Sequence, residues 1–217
     1  MREKYLSFLL FLLVAAGCHG HVEKSIAITP GVGYSNGTAE QQMVSLPDGS
    51  RIIIGSGTIV VPSKGFGKED RDLGIDGSGM FEVAAGEKPF VVLTGNLVIE
   101  VLDTTGAGPS GGGGSRLGGS GAGGSGVGVN GSGAGAGDWK VRFAVDAVRK
   151  RPGEEVDLLD GRLRVTKSYH SDTDSLPEEL AAGDMVMINR EIDLMEKEKM
   201  TGPEEDKVKE KYHLAAH

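Results

Sequence analysis

A 32-residue tract from Gly106 to Gly137 holds 17 of the chain's 36 glycines and almost no side chain able to pack. Residues this free in conformation lose the most backbone entropy on ordering and bury little in return. The tract therefore reads as a flexible loop or linker, and any core must come from the chain on either side of it. It contains no carboxylate, whereas a calcium-binding glycine-rich repeat needs recurrent aspartates. No glycine-rich stretch ends in Gly-Lys-Ser or Gly-Lys-Thr, so a phosphate-cradling loop is not indicated either.

Both flanks read as strands. The runs are Gln41 to Leu46, Arg51 to Ile54, Thr58 to Val61, Met80 to Ala84, Phe90 to Leu93, Leu97 to Leu102, Val141 to Val148, Glu155 to Leu159, Arg162 to Thr166 and Met185 to Asn189. They are rich in β-branched and aromatic residues and bounded by turn residues. Leu46-Pro47-Asp48-Gly49, Ile75-Asp76-Gly77 and Leu159-Asp160-Gly161 each set Asp-Gly between apolar runs, which predicts chain reversals at all three. Ile52-Ile53-Ile54, Val91-Val92-Leu93 and Met185-Val186-Met187-Ile188 are apolar on both faces and should be covered on both sides, as in stacked sheets or a β-solenoid. Arg162-Leu163-Arg164-Val165 alternates and should keep one wet face. The expected class is all-β, a β-solenoid or β-sandwich-like domain.

The two ends differ from this body. Met1 to Lys4 carry a basic tip, and Tyr5 to Gly17 form an apolar run closing on small residues, the pattern of a secretion signal. A spanning helix needs about 20 apolar residues, and polar residues resume at His19, so residues 1–17 are expected to be removed. Ala15 and Gly17 suit ordinary signal-peptide cleavage, while Ala15-Ala16-Gly17-Cys18 also resembles a bacterial lipobox, in which Cys18 is lipidated and becomes the mature N-terminus. Cys18 is the only cysteine, so it can form no intrachain disulfide. An unpaired thiol in an oxidising compartment favours the lipidated reading. Losing Arg2, Glu3 and Lys4 takes the formal net charge from −8 to −9, and nucleic acid is an unsuitable partner for such a chain. Residues 194–217 are a charged tail in which Pro203, acids and then lysines follow the order a short helix prefers. Its thin apolar face favours a solvated tail with transient helicity over a docked helix.

Catalytic chemistry is poorly represented. Of the five histidines, His19, His21, His213 and His217 lie near the ends and only His170 is internal, which makes a histidine-based triad hard to build. His170, Asp172 and Asp174 place potential metal ligands at alternate positions, but an exposed turn without an ordered chelate is the plainer reading. Glu154, Glu155, Asp157 and Asp160 flank a strand and a turn and read as solvated charge. Glu82, between Phe81 and Val83, suits a structural hydrogen-bonding role better than catalysis. The expectation is a protein with no enzymatic activity, no metal and no cofactor.

An ordered series of short motifs resembles one family. Leu46-Pro47-Asp48-Gly49-Ser50-Arg51-Ile52 and Gly57 to Pro62 are followed by Arg71, Ile75-Asp76-Gly77, Met80-Phe81-Glu82-Val83-Ala84, Pro89-Phe90-Val91-Val92, Thr94-Gly95 and Leu97 to Thr104. This looks like the FecR domain, the periplasmic part of bacterial sigma regulators of iron uptake. Each piece is weak alone, and the order makes the series specific. In the family, the turn after that last strand leads at once into a Phe-Asn-Val segment. Here Thr105 and Phe143 are separated by the glycine tract, which resembles an insertion into that turn. Loop-closure entropy grows by only about 0.6 kcal/mol per doubling of length, so the fold can tolerate it. Val156 to Val165 and Leu180 to Met185 resemble the closing pattern of the family, with Ala182-Gly183-Asp184 in place of Pro-Gly-Glu. The likeness runs from Thr38 to Asn189, which divides the chain into a signal peptide at 1–17, a FecR-like domain at 22–193 interrupted at 106–137, and the tail.

The resemblance implies a non-catalytic, protein-binding module at the periplasmic face of the envelope, membrane-anchored if Cys18 is lipidated. Its implied partner is an envelope protein such as the signalling domain of a TonB-dependent receptor, with an output in sigma-factor regulation. Only four residues precede the apolar run, which leaves no room for the family's cytoplasmic anti-sigma segment and puts the usual relay in question. The alternative is a structural or glycan-binding envelope lipoprotein without regulatory output. The family-motif residues singled out are Leu46, Pro47, Asp48, Gly49, Ser50, Phe81, Glu82, Val83, Pro89, Phe90 and Val91.

Overall fold

The computed structural model describes residues 26–102, 139–172 and 176–214. Residues 1–17, expected to be a secretion signal, Cys18 and the glycine tract lie outside the described residues.

Fourteen strands and one helix are described: β1 (Ile26–Ala27), β2 (Tyr34–Ser35), β3 (Gln42–Ser45), β4 (Arg51–Ile54), β5 (Ile59–Pro62), β6 (Asp72–Ala84), β7 (Phe90–Leu93), β8 (Leu97–Val101), β9 (Trp139–Ala147), β10 (Gly153–Asp160), β11 (Arg162–Lys167), β12 (Glu178–Ala181), β13 (Asp184–Asn189), β14 (Leu194–Lys199) and α1 (Gly202–Lys211). The fold is all-β. One run of paired strands reads β1-β3-β4-β6-β9-β10-β13-β14 and the other β2-β5-β6-β7-β8-β11-β12. All named pairs are antiparallel except β1 with β3 and β6 with β7.

The 13-residue β6 belongs to both runs. Asp72 to Asp76 pair with the second sheet, and Gly77 to Ala84 pair with the first. The switch falls at Gly77, whose φ is +127° and whose absent Cβ would stand 2.7 Å from Thr58 Cα. Only glycine suits that backbone and that contact. Asp76-Gly77 is therefore a crossing within one strand and not the chain reversal its sequence predicts. Asp160-Gly161 is corrected in the same way. It leads from β10 in the first sheet to β11 in the second, with Gly161 at φ +92°. Only Asp48-Gly49 closes a hairpin, between β3 and β4, where Gly49 N–H donates to Leu46 O at 3.1 Å and Leu46 N–H to Ser50 O at 2.9 Å.

The segments on either side of the glycine tract meet in this frame, since β9 pairs along β6 from Gly77↔Ala147 to Ala84↔Trp139. Inward residues of both sheets form one apolar cluster. At its centre Phe81 stacks on Phe143 at 4.8 Å and meets Phe90 edge-on at 6.3 Å, and Phe66 meets Phe90 edge-on at 6.1 Å. Such aromatic pairs add about 0.5–1.5 kcal/mol beyond their burial.

The sequence predicts three strands covered on both faces, and the structure grants this to one. Ile52 and Ile54 face the main core, while Ile53 packs with a second cluster of Met80, Ala144, Leu159 and Tyr212. On β7 and β13 the outward Leu93 and Met187 stay exposed, at 43% and 36%. β11 alternates as expected, burying Leu163 and Val165.

The end of the chain departs from a solvated tail. Leu194 to Lys199 form β14 and pair with β13 at six positions. Met195 packs against the main core, while Glu196 to Lys199 alternate in charge, and charges of this kind guard an exposed sheet edge. α1 follows, opened by Glu204, whose carboxylate accepts from the N–H of Thr201 at 2.7 Å and its hydroxyl at 2.8 Å. The helix buries none of its own residues. Tyr212, just beyond it, is 2% exposed and anchors it on the second cluster. No described helix is long and apolar enough to cross a membrane.

Candidate functional site

The family-motif residues converge at one end of the main core around Arg71, a member of the motif series to which the sequence assigns no role of its own. Arg71 lies where the chain enters β6, and its side chain is 4% exposed. Its guanidinium donates to Asp48 Oδ2 from Nε at 2.8 Å and lies 2.7 Å from the same oxygen through Nη2. It also donates to Ser50 Oγ at 3.3 Å, Ala84 O at 2.8 Å and Lys88 O at 3.2 Å. The face of its guanidinium sits 5.1 Å from the Phe90 ring centroid, a favourable cation–π contact. Ser50 completes the knot, donating to Asp48 at 2.9 Å and accepting from Ala84 N–H at 3.1 Å.

The hairpin tip Leu46-Pro47-Asp48-Gly49-Ser50 is thus tied to both ends of the β6 to β7 connection. Leu46, Phe81, Val83 and Phe90 are buried in the core beneath it, Val91 is half-buried, and Pro47, Gly49 and Pro89 are exposed. Glu82 pairs with Arg51 at 2.6 Å. These residues hold the fold together, and their polar groups bond chiefly to one another and to Arg71.

Three other polar clusters are built from residues that sequence reasoning assigned to solvent or passed over. Glu154 is 4% exposed. Its carboxylate accepts from the Thr94 hydroxyl, from Asn96 Nδ2 at 2.8 Å and from Asn96 N–H at 3.3 Å, which fastens β10 to the β7–β8 turn. Burial pushes its pKa up, and the bonds from Thr94 and Asn96 oppose this only in part. Lys167 is 7% exposed, and its Nζ contacts Ser171 Oγ and Asp193 Oδ1, each at 2.9 Å.

The third cluster lies on the outer face of the first sheet, under α1. Asp157 is 7% exposed, and burial, reinforced by Glu155 beside it, raises its pKa to about 7. A reading of Glu154, Glu155, Asp157 and Asp160 as uniformly solvated is corrected here. Asp160 is solvated and pairs with Arg142 at 2.5 Å, but Glu154 and Asp157 are buried. Alternation could have revealed Asp157, because it shares a strand face with Leu159, which packs under Tyr212. Of the candidate metal ligands, His170 and Asp172 are exposed and Asp174 lies outside the described residues. Among the described residues no three histidines, cysteines or carboxylates converge on a metal position.

Residues 33–117 match the family model described as FecR protein. The chain carries a FecR-family domain. The FecR match ends inside the glycine tract, while the strands paired to it continue to β14, so the likeness over the second half rests on structure. Two crystal structures of a candidate anti-sigma factor from Parabacteroides distasonis ATCC 8503, at 2.50 and 1.65 Å, superpose with a TM-score of 0.54 at 19% identity. Each match covers 78% of this chain and 60% of that one. At this identity the likeness is one of fold. No curated protein matches the chain. The Arg71 clamp lies within the matched residues and joins a hairpin tip that accepts, an arginine that donates and an aromatic that supports.

Proposed function

We propose that the chain is a non-catalytic FecR-type module that binds another protein at the periplasmic face of the bacterial envelope and contributes to signalling or regulation there. The observation that carries this reading is the FecR match over residues 33–117, together with a clamp that spends the family's motif on rigidity. A scaffold of that kind leaves recognition to its outer faces. There the second sheet presents Ile59, Val61 and Leu93 at 41%, 47% and 43% exposure, with Gly74 between them. Apolar side chains grouped on an outer sheet face suit contact with another protein. A TonB-dependent receptor's signalling domain fits the family's practice, and lipidation of Cys18 would hold the module at the membrane.

Deleting the gene while following transcripts of neighbouring receptor genes, alongside co-purification with envelope proteins, tests the reading. A changed transcript level and a specific envelope partner are expected. Unchanged expression with no co-purified envelope protein discards it. The mass of the protein extracted from membranes tests the anchor separately: a diacylglyceryl-modified Cys18 at the mature N-terminus is expected, and an unmodified thiol refutes it.

A further inference from the structure

The cleft between α1 and the outer face of the first sheet holds a cavity of about 380 Å³. Asp157 and Glu155 from β10, Asp146 from β9, Met185 and Met187 from β13 and Tyr212 beyond α1 contribute to its walls. Asp146 stands directly across from Glu155 in the β9–β10 ladder, and like charges in that relation repel. Asp146 has cations of its own, Arg151 at 3.5 Å and Lys211 at 3.9 Å. Asp157 and Glu155 have no lysine or arginine within 4 Å among the described residues. Lys207 and Lys211 line the same cavity, and Lys211 eases the ionisation of Asp157, but Asp146, Glu155, Asp157, Glu198 and Glu204 outnumber them there, so a carboxylate as buried as Asp157 is costly in its ionised form without a closer counter-charge.

A second cavity, of about 370 Å³, shares Asp146, Glu155 and Met187 with the first and runs on to Ile192 and Leu194. Ile192 and Leu194 are 65% and 41% exposed. Arg151, Asn189 and Glu196 line this second cavity as well, so the groove carries its carboxylates at one end and sets Ile192 and Leu194 among polar side chains at the other.

We propose that this groove is a binding site for a cationic side chain, a lysine or arginine presented by an apolar-flanked segment of a partner protein, which pairs with Asp157 and Glu155. The inference deepens the protein-binding reading above and rests on it in taking the occupant to be protein. A metal ion is disfavoured because no three histidines, cysteines or carboxylates converge among the described residues. A free amine would use the acidic end and leave Ile192 and Leu194 idle. In the unliganded chain a proton takes the place of the cation, since Asp157 titrates at about 7. The other charges facing the cleft are Glu198 from β14 and Glu204, Lys207 and Lys211 from α1, and of these the lysines favour ionisation and the glutamates oppose it. Binding must therefore displace a proton from Asp157.

The test is calorimetry on the purified mature chain, titrated with the blocked peptide Leu-Arg-Leu-Arg-Leu at pH 6 and pH 8. If only the ionised form binds, its population rises from about one eleventh to about ten elevenths, and affinity rises about tenfold. Proton release, read from the dependence of the heat on buffer, accompanies it. Asp157→Asn should weaken binding at pH 8 at least tenfold and abolish the pH dependence. Because this substitution removes a buried charge, its thermal melt should match or exceed that of the parent, and Glu155→Gln, at a half-buried position, should weaken binding as well. Equal affinity at the two pH values, undiminished binding by Asp157→Asn, or spermidine binding as tightly as the peptide overturns the proposal. None of these results bears on transcript levels or co-purification, so the two readings fail separately.

Discussion

Replacing Arg71 with leucine should destabilise the domain by about 3–5 kcal/mol, the range for removing one partner of a buried ion pair. The structure supplies the reason. With Arg71 gone, the Asp48 carboxylate, whose side chain is 7% exposed, keeps only Ser50 and local backbone as donors, and Ala84 O and Lys88 O each lose a donor. Leucine can still cover Phe90, so the loss is polar and not a cavity. At about 2–4 °C per kcal/mol for a domain of this size, the melting temperature should fall by roughly 10 °C. Urea unfolding of Arg71→Leu, Asp48→Asn and the double variant gives the decisive comparison. The double variant should be more stable than the sum of the single losses implies, with a coupling of about 1–3 kcal/mol. A cost below about 1 kcal/mol for Arg71→Leu, or strict additivity of the pair, would refute the clamp as the element that fastens the β3–β4 hairpin to β6.

Gly77→Ala should cost about 1–3 kcal/mol in chemical denaturation, because alanine is strained at φ +127° and its Cβ meets Thr58, whereas Gly183→Ala, also at positive φ but with open space around it, should cost less. Tyr212→Ala should release α1 from the sheet, visible as loss of hydrogen-exchange protection over residues 202–212 while β6 and β9 stay protected, with about 3–5 kcal/mol lost from the docking equilibrium. Asp157 has a folded pKa raised to about 7 against an unfolded value near 3.9, so the stability it contributes is fully present below about pH 4 and lost as pH rises through about 7. The loss amounts to at most about 4 kcal/mol. Melts between pH 4.5 and 8 should show that slope in the parent and a flatter profile in Asp157→Asn, and parallel profiles would refute the assignment.

Local pattern carried much of this fold. β4 and β7 fall where β-branched runs place them, and the Asp48-Gly49 hairpin follows from its turn chemistry. The same chemistry misled at Asp76 and Asp160. A glycine at positive φ serves a reversal or a crossing between sheets equally well, and only distant partners such as Thr58 decide which. The first half of β6 went unread for that reason. β14 went unread because an edge strand that half-buries Met195 and exposes the rest has no apolar period. At the clamp, Asp48, Ser50, Arg71, Glu82 and Phe90 were all legible as motif residues, but the role of Arg71 was not, because it draws its meaning from carbonyl groups 13 and 17 residues away. Asp157 looked like ordinary surface charge because the face it shares with Leu159 is covered by Tyr212, more than fifty residues further along the chain.

The shared strand β6 has a mechanical consequence. Two stacked layers joined only by side-chain packing can slip past one another when one of them is tugged. Here a pull on either layer runs along a single covalent backbone into the other, with ladder hydrogen bonds loaded on both sides of Gly77. The domain therefore resists shear between its layers and hands tension on from one face to the other, the behaviour of a strut.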